Sequence, residues 1–95
     1  VILHAKKDRI QVRGYLSVCF GCPYEGDVDP AKVVKIAERL LKLGVYEVSF
    51  GDTIGVAHPK QVRDLIKRLR RKLKASQIAM HFHDTRGTAL ANTLV

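Results

Sequence analysis

Two histidines one residue apart, His81 and His83 in MHFHDTRG (Met80–Gly87), are the residues of this chain best suited to chemistry. On an extended strand alternate side chains share a face, so both imidazoles project to the same side. Two neutral imidazoles make half of a divalent-metal site, which also needs further protein ligands and an open position for substrate. Taken alone, the alternation is also a common coincidence, and the rest of the chain has to decide.

A second stretch with chemical potential is GDTIG, Gly51–Gly55. Its glycines let the backbone turn sharply and approach a ligand. Asp52 is a candidate acid, base or substrate anchor, or a turn aspartate that caps local N–H groups. The stretch lacks the spacing and the lysine of a phosphate-binding loop. Cys19 and Cys22 spell C-x-x-C, but Pro23 and a loop follow where a redox pair would open a helix. Two unpaired thiols are the expectation, with Cys19 on the same strand face as Arg13, Tyr15 and Ser17. Asp84, directly after the second histidine, is expected either to cap the following helix or to orient His83.

The elements that hold these residues follow from periodicity. The first nine residues read as a helix end and a polar turn. IQVRGYLSVCF predicts a strand of about nine residues. GCPYEGDVD reads as a loop, and Asp29 and Pro30 supply an N-cap and a first helical position. Val33, Ile36, Ala37, Leu40 and Leu41 recur at helical spacing up to Gly44. VYEVSF is a second strand, and Pro59 opens a second helix with Val62, Leu65, Ile66, Leu69 and Leu73 on one stripe. SQIAMHFH is a third strand and DTRGTALANTLV enters a third helix. Alternating strands and helices with short connections predict parallel strands joined by crossovers.

Each strand has a greasy side and a polar side. Strands covered by helices on both faces would be greasy on both. The polar faces therefore favour about three consecutive β/α units of a partial (β/α)8 TIM barrel, with chemistry at the C-terminal strand ends. Arg13 and Glu47 point inward near the starts of neighbouring strands, and are expected to form a structural salt bridge in the barrel floor.

Ninety-five residues allow one domain, with 46% hydrophobic and 27% charged residues. No apolar run is long enough for a transmembrane helix, and no signal peptide is visible. The net charge is +8, and eight basic residues between Lys60 and Lys74, opposed only by Asp64, carry +7 of it. Charge gathered on one helix reads as that helix's solvated face; nucleic-acid binding through it is the rival reading. The chain lacks an initial Met and stops inside an apparent helix, so a piece of a longer protein is expected.

VRGYLSVCFGCPYEG, YEVSFGDTIGVAHP and MHFHDTRGTALAN together resemble the 3-hydroxy-3-methylglutaryl-CoA lyases, within the metal-dependent TIM-barrel family of lyases and Claisen-type synthases. The likeness runs from about Val12 to Val95. The related isopropylmalate and homocitrate synthases usually carry Asn after the second His, where this chain has Asp84. The resemblance implies retro-Claisen cleavage of 3-hydroxy-3-methylglutaryl-CoA to acetoacetate and acetyl-CoA, as used in leucine degradation and ketone-body metabolism. It also implies a divalent cation, Mg or Mn, held by His81 and His83 with an Asp upstream of Val1 and an Asn beyond Val95. It further gives Asp52 a place near the substrate hydroxyl, Tyr15 and Ser49 a place in the substrate pocket, and a loop Cys beyond Val95 as proton donor to the enolate. The implied partner is an acyl-CoA substrate, with no nucleic acid or membrane, in a homo-oligomeric parent. The implied location is the bacterial cytoplasm, or the mitochondrial matrix in a eukaryote. A related synthase fragment is the alternative within the family.

Overall fold

The computed structural model describes residues 1–95. Its elements in chain order are α1 (Ile2–Lys7), β1 (Arg13–Leu16), β2 (Gly21–Cys22), β3 (Gly26–Asp27), α2 (Pro30–Leu43), β4 (Glu47–Asp52), α3 (Pro59–Arg70), β5 (Ile78–Phe82) and α4 (Ala89–Leu94). β1, β4 and β5 form one sheet in that order, and both pairings are parallel. Successive strands are therefore neighbours. That order continues a barrel wall; one half of a doubly wound sheet has it too, so the polar inner face carries the distinction.

Local chemistry accounts for the helix ends. The Asp29 carboxylate accepts from the Ala31 N–H at 2.9 Å, Pro30 follows at the first position, and Gly44 closes α2 at φ 110°. α3 starts with a capping box, in which His58 Nδ1 accepts from the Gln61 N–H and Gln61 Oε1 accepts from the His58 N–H. Both helices pack on one side of the sheet. Val33, Val34 and Ala37 of α2 and Val62, Leu65 and Leu69 of α3 meet Val48 and Phe50 of β4 in a core of 13 buried residues. The basic residues between Lys60 and Lys74 all lie on the exposed side of α3 and the turn after it. No helix is long and apolar enough to cross a membrane.

The first strand is shorter than its sequence suggests. It ends at Leu16, and Val18 adopts φ 52°, a left-handed conformation that strains a β-branched residue by about 1–3 kcal/mol. Two hydrogen bonds hold the turn: the Val18 N–H donates to Thr53 Oγ1 at 2.8 Å, and the Cys19 N–H donates to the Gly51 carbonyl at 3.0 Å. The alternation of faces is reset there. Cys19 enters the core beside Phe20 instead of joining Arg13 and Tyr15 on the polar face. The loop expected after it contains the two-residue antiparallel hairpin β2–β3.

The outer edges of β1 and β5 have no strand partner, and the polar face of the sheet carries no covering layer, leaving Tyr15 65% exposed. Unpaired edge N–H and C=O groups template association. Expressed alone, the 95-residue chain is expected to self-associate; a single monomeric species in sedimentation velocity that also unfolds cooperatively in urea would contradict this. Phe50 is fully buried between β4 and the helices. Phe50→Ala in a full-length protein is expected to cost about 3–5 kcal/mol in urea unfolding.

Candidate metal centre and substrate pocket

Strand register stacks the inward side chains in layers. Arg13 lies opposite Glu47; Tyr15, Ser49 and Ala79 form the next row; Gly51 lies opposite His81. Thr53 and His83 stand one step higher, at the C-terminal end of the sheet. Tyr15, Ser17, Ser49, Gly51, Thr53, His81 and His83, with Leu16, line a single cavity of about 220 Å³. Sequence parity anticipated Tyr15, Ser17, Ser49, His81 and His83 on this face, although Ser17 was not singled out as a site residue; Thr53 was not anticipated.

The floor is an ion pair. Arg13 Nε donates to Glu47 Oε2, and Arg13 Nη1 donates to the Tyr15 hydroxyl at 2.8 Å with the guanidinium 5.0 Å from the Tyr15 ring centroid. The hydrogen bond to Glu47, then the one to Tyr15, hold the Arg13 pKa above its ordinary value. The pair is only partly buried, so in this chain it organises the floor more than it stabilises the fold.

The two imidazoles converge. His81 Nε2 and His83 Nε2 are 3.3 Å apart, with ring planes at 60°. His83 Nδ1 lies 3.0 Å from the Asp52 carbonyl oxygen. A carbonyl can only accept, so Nδ1 carries the proton and Nε2 presents its lone pair to the cavity. Two nitrogens each about 2.1 Å from a shared ion stand roughly 3.0–3.4 Å apart for angles between about 90° and 109°. The observed separation fits one ion bound by both rings. No third His, Cys, Asp or Glu side chain gathers with the pair.

Asp52 departs from the expected placement beside the substrate. It shares strand parity with Val48 and Phe50, and its side chain turns away from the cavity with no exposed surface. Oδ1 accepts from the Val56 N–H and Oδ2 from the Ala57 N–H, both at 3.0 Å. The carboxylate thus has the turn-capping arrangement that the sequence left open as an alternative. What Asp52 offers the site is its main-chain carbonyl, which accepts from both the Gly55 N–H and His83 Nδ1. Asp84 resolves likewise: Oδ1 accepts from the Ala89 N–H at 3.0 Å at the start of α4, so it caps, and His83 is oriented by Asp52.

Neither cysteine joins the histidines, and both are free thiols. Burial, the largest influence, pushes the Cys19 thiol up to about 11. A thiol held protonated in the core is a poor nucleophile and a poor metal ligand.

The sequence profile of the HMGL-like family matches residues 2–95. A hydroxymethylglutaryl-CoA lyase of Bacillus subtilis is 52% identical over 88 residues, which is 93% of this chain and 29% of that protein. The crystal structure of the hydroxymethylglutaryl-CoA lyase from Pseudomonas aeruginosa superposes with a TM-score of 0.95 at 46% identity, covering 98% of this chain and 31% of that one. An HMG-CoA lyase from Acinetobacter baumannii, solved in complex with coenzyme A and 3-methylmalate, gives a TM-score of 0.90 at 33% identity, over 98% of this chain and 30% of that one. The chain thus spans about 30% of the length of the relatives it matches, as three consecutive β/α units of a TIM barrel. With its profile matched almost end to end and its fold superposing on these lyases, the chain belongs to the HMGL-like family.

Proposed function

We propose that this chain is one contiguous part of the catalytic domain of a 3-hydroxy-3-methylglutaryl-CoA lyase, whose complete form releases acetoacetate and acetyl-CoA. The observation that carries the reading is the convergence of the His81 and His83 Nε2 atoms, 3.3 Å apart, on the cavity at the C-terminal strand ends. Relatives named as lyases support it over the synthase alternative, and the coenzyme A in one of them supports an acyl-CoA substrate. The basic side of α3, on the outside of the barrel wall, is read as a solvated surface. A bacterial parent would work in the cytoplasm.

His81 and His83 would hold a divalent cation, Mg or Mn, together with ligands from outside this chain. Such an ion lowers the pKa of a bound tertiary hydroxyl and orients it for cleavage of the C–C bond. The chain's own residues bind and orient. His83 is fixed in the Nδ1–H tautomer by Asp52, with Nε2 free to ligate. Tyr15 and Ser49 form the row below and bound the space for the acyl group. Gly51, opposite His81, leaves that space open: a Cβ there would meet the Leu16 carbonyl at 3.3 Å. Arg13 and Glu47 close the floor. The Asp52 carboxylate faces the loop, so its contribution is positional, and the hydroxyl proton goes to a different group. The proton that quenches the enolate likewise comes from outside this chain. The isolated chain is therefore expected to release no acetoacetate in the presence of Mg or Mn.

In the full-length protein, His81→Ala or His83→Ala is expected to weaken Mn²⁺ binding more than about 100-fold, beyond the loss typical of an orienting partner. Calorimetric titration checks this, and unchanged affinity in both variants would remove the ligand assignment. Asp52→Asn replaces one of two accepting oxygens with a donor that faces a backbone N–H. It is expected to destabilise the protein by about 1–3 kcal/mol and to lower metal affinity and turnover together. If turnover collapses while stability and metal affinity hold, Asp52 is a proton carrier after all.

A further inference from the structure

We propose that Asn92 is a positioning residue for His83, acting through the turn that Asp52 closes; the inference rests on the metal-binding reading of His81 and His83. Asn92 lies on α4, is 1% exposed and does not line the cavity. Its Nδ2 donates to the Ala57 carbonyl at 3.0 Å. The Ala57 N–H donates to Asp52 Oδ2 at 3.0 Å, and the Asp52 carbonyl accepts from His83 Nδ1 at 3.0 Å. Ala57 is thus held at both its polar groups, by α4 on one side and by Asp52 on the other. An unbroken run of buried or half-buried hydrogen bonds leads from a helix on the outside of the sheet to the imidazole on the inside.

The choice of an asparagine here makes little sense for stability alone. Its Oδ1 is buried with no hydrogen-bond partner. A buried acceptor left unpaired is unfavourable, and an apolar side chain of similar size would avoid it. The Ala57 carbonyl would not be orphaned by that exchange, because the Thr88 hydroxyl already donates to it at 3.1 Å. What Asn92 adds is a second, buried anchor on the same carbonyl, which restricts how far residues 52–57 can shift. The site leaves no slack for such a shift. A Cβ on Gly55 would lie 3.1 Å from the His83 carbonyl and 2.6 Å from the Thr85 Cβ, so the two loops are packed directly on each other.

The test uses the full-length protein with Asn92→Leu, His81→Ala as a control, and Mn²⁺ as the probe. Three quantities are read: Mn²⁺ affinity, thermal unfolding, and the ¹⁵N-detected Nδ1–H signal of His83 in metal-free protein. Asn92→Leu is expected to leave the melting temperature unchanged or raised. It is expected to weaken Mn²⁺ binding several-fold, less than the roughly 10–100-fold lost with a direct partner of a ligand, and to make the His83 Nδ1–H exchange faster with solvent. Wild-type affinity together with an unchanged His83 signal would overturn the proposal. If His81→Ala itself retains full affinity, the metal reading fails, and the His83 signal, read without any ion, still decides the Asn92 link. Should Asn92→Leu not fold, Asn92→Ala removes the same amide donor and leaves the Thr88 donor in place; there too, unchanged affinity and signal would overturn the proposal.

Discussion

The carboxylate of Asp52 has no contact with solvent and takes its two hydrogen bonds from the main chain of Val56 and Ala57. A buried carboxylate must be paired, and backbone N–H groups are strong partners for it. That one requirement curls residues 52–57 back over the end of β4. Once curled, the segment reaches in several directions. Thr53 Oγ1 receives the Val18 N–H and so holds the end of β1. The Asp52 carbonyl receives His83. The Ala57 carbonyl receives Thr88 and Asn92 from the β5–α4 side. His58 follows immediately and caps α3. The ends of three strands and the starts of two helices are thereby tied at the rim where the chemistry belongs.

Charge is distributed with the same division of duties. The Arg13–Glu47 pair sits at the opposite end of the strands, beneath the cavity row of Tyr15 and Ser49. It ties Arg13 to Glu47 and to the Tyr15 hydroxyl at the end of the strands remote from His81 and His83. The remaining excess of positive charge lies on the far side of the helix layer, on the exposed side of α3.

Much of this was legible in the sequence because it depends on local rules. The strand–helix alternation, the Asp29 cap, the prolines that open α2 and α3, and the shared face of His81 and His83 each follow from spacing over a few residues. Parity failed where its assumption failed. Counting alternate faces presumes an extended backbone, and the left-handed turn at Val18 resets the count, which sends Cys19 into the core. Asp52 is the opposite case: its alternation with Val48 and Phe50 was countable, and the same rule that placed the histidines would have placed its side chain behind the sheet. Asn92 gave only an amide among apolar neighbours on a helix. Its meaning comes from Ala57, 35 residues away, and no local spacing encodes that contact.

The packing of Gly55 against Thr85 has a historical consequence. A Cβ at position 55 would meet the Thr85 hydroxyl oxygen at 2.3 Å, and the backbone there sits at φ 68°. Shrinking Thr85 would clear the first obstacle but not the second, nor the His83 carbonyl behind it. Any lineage that once placed a glycine there, with the histidine loop closed over it, has no single-substitution way back. The constraint is one-sided: position 55 is held to glycine by its own backbone as well as by its neighbours, whereas Thr85 need only stay clear of it.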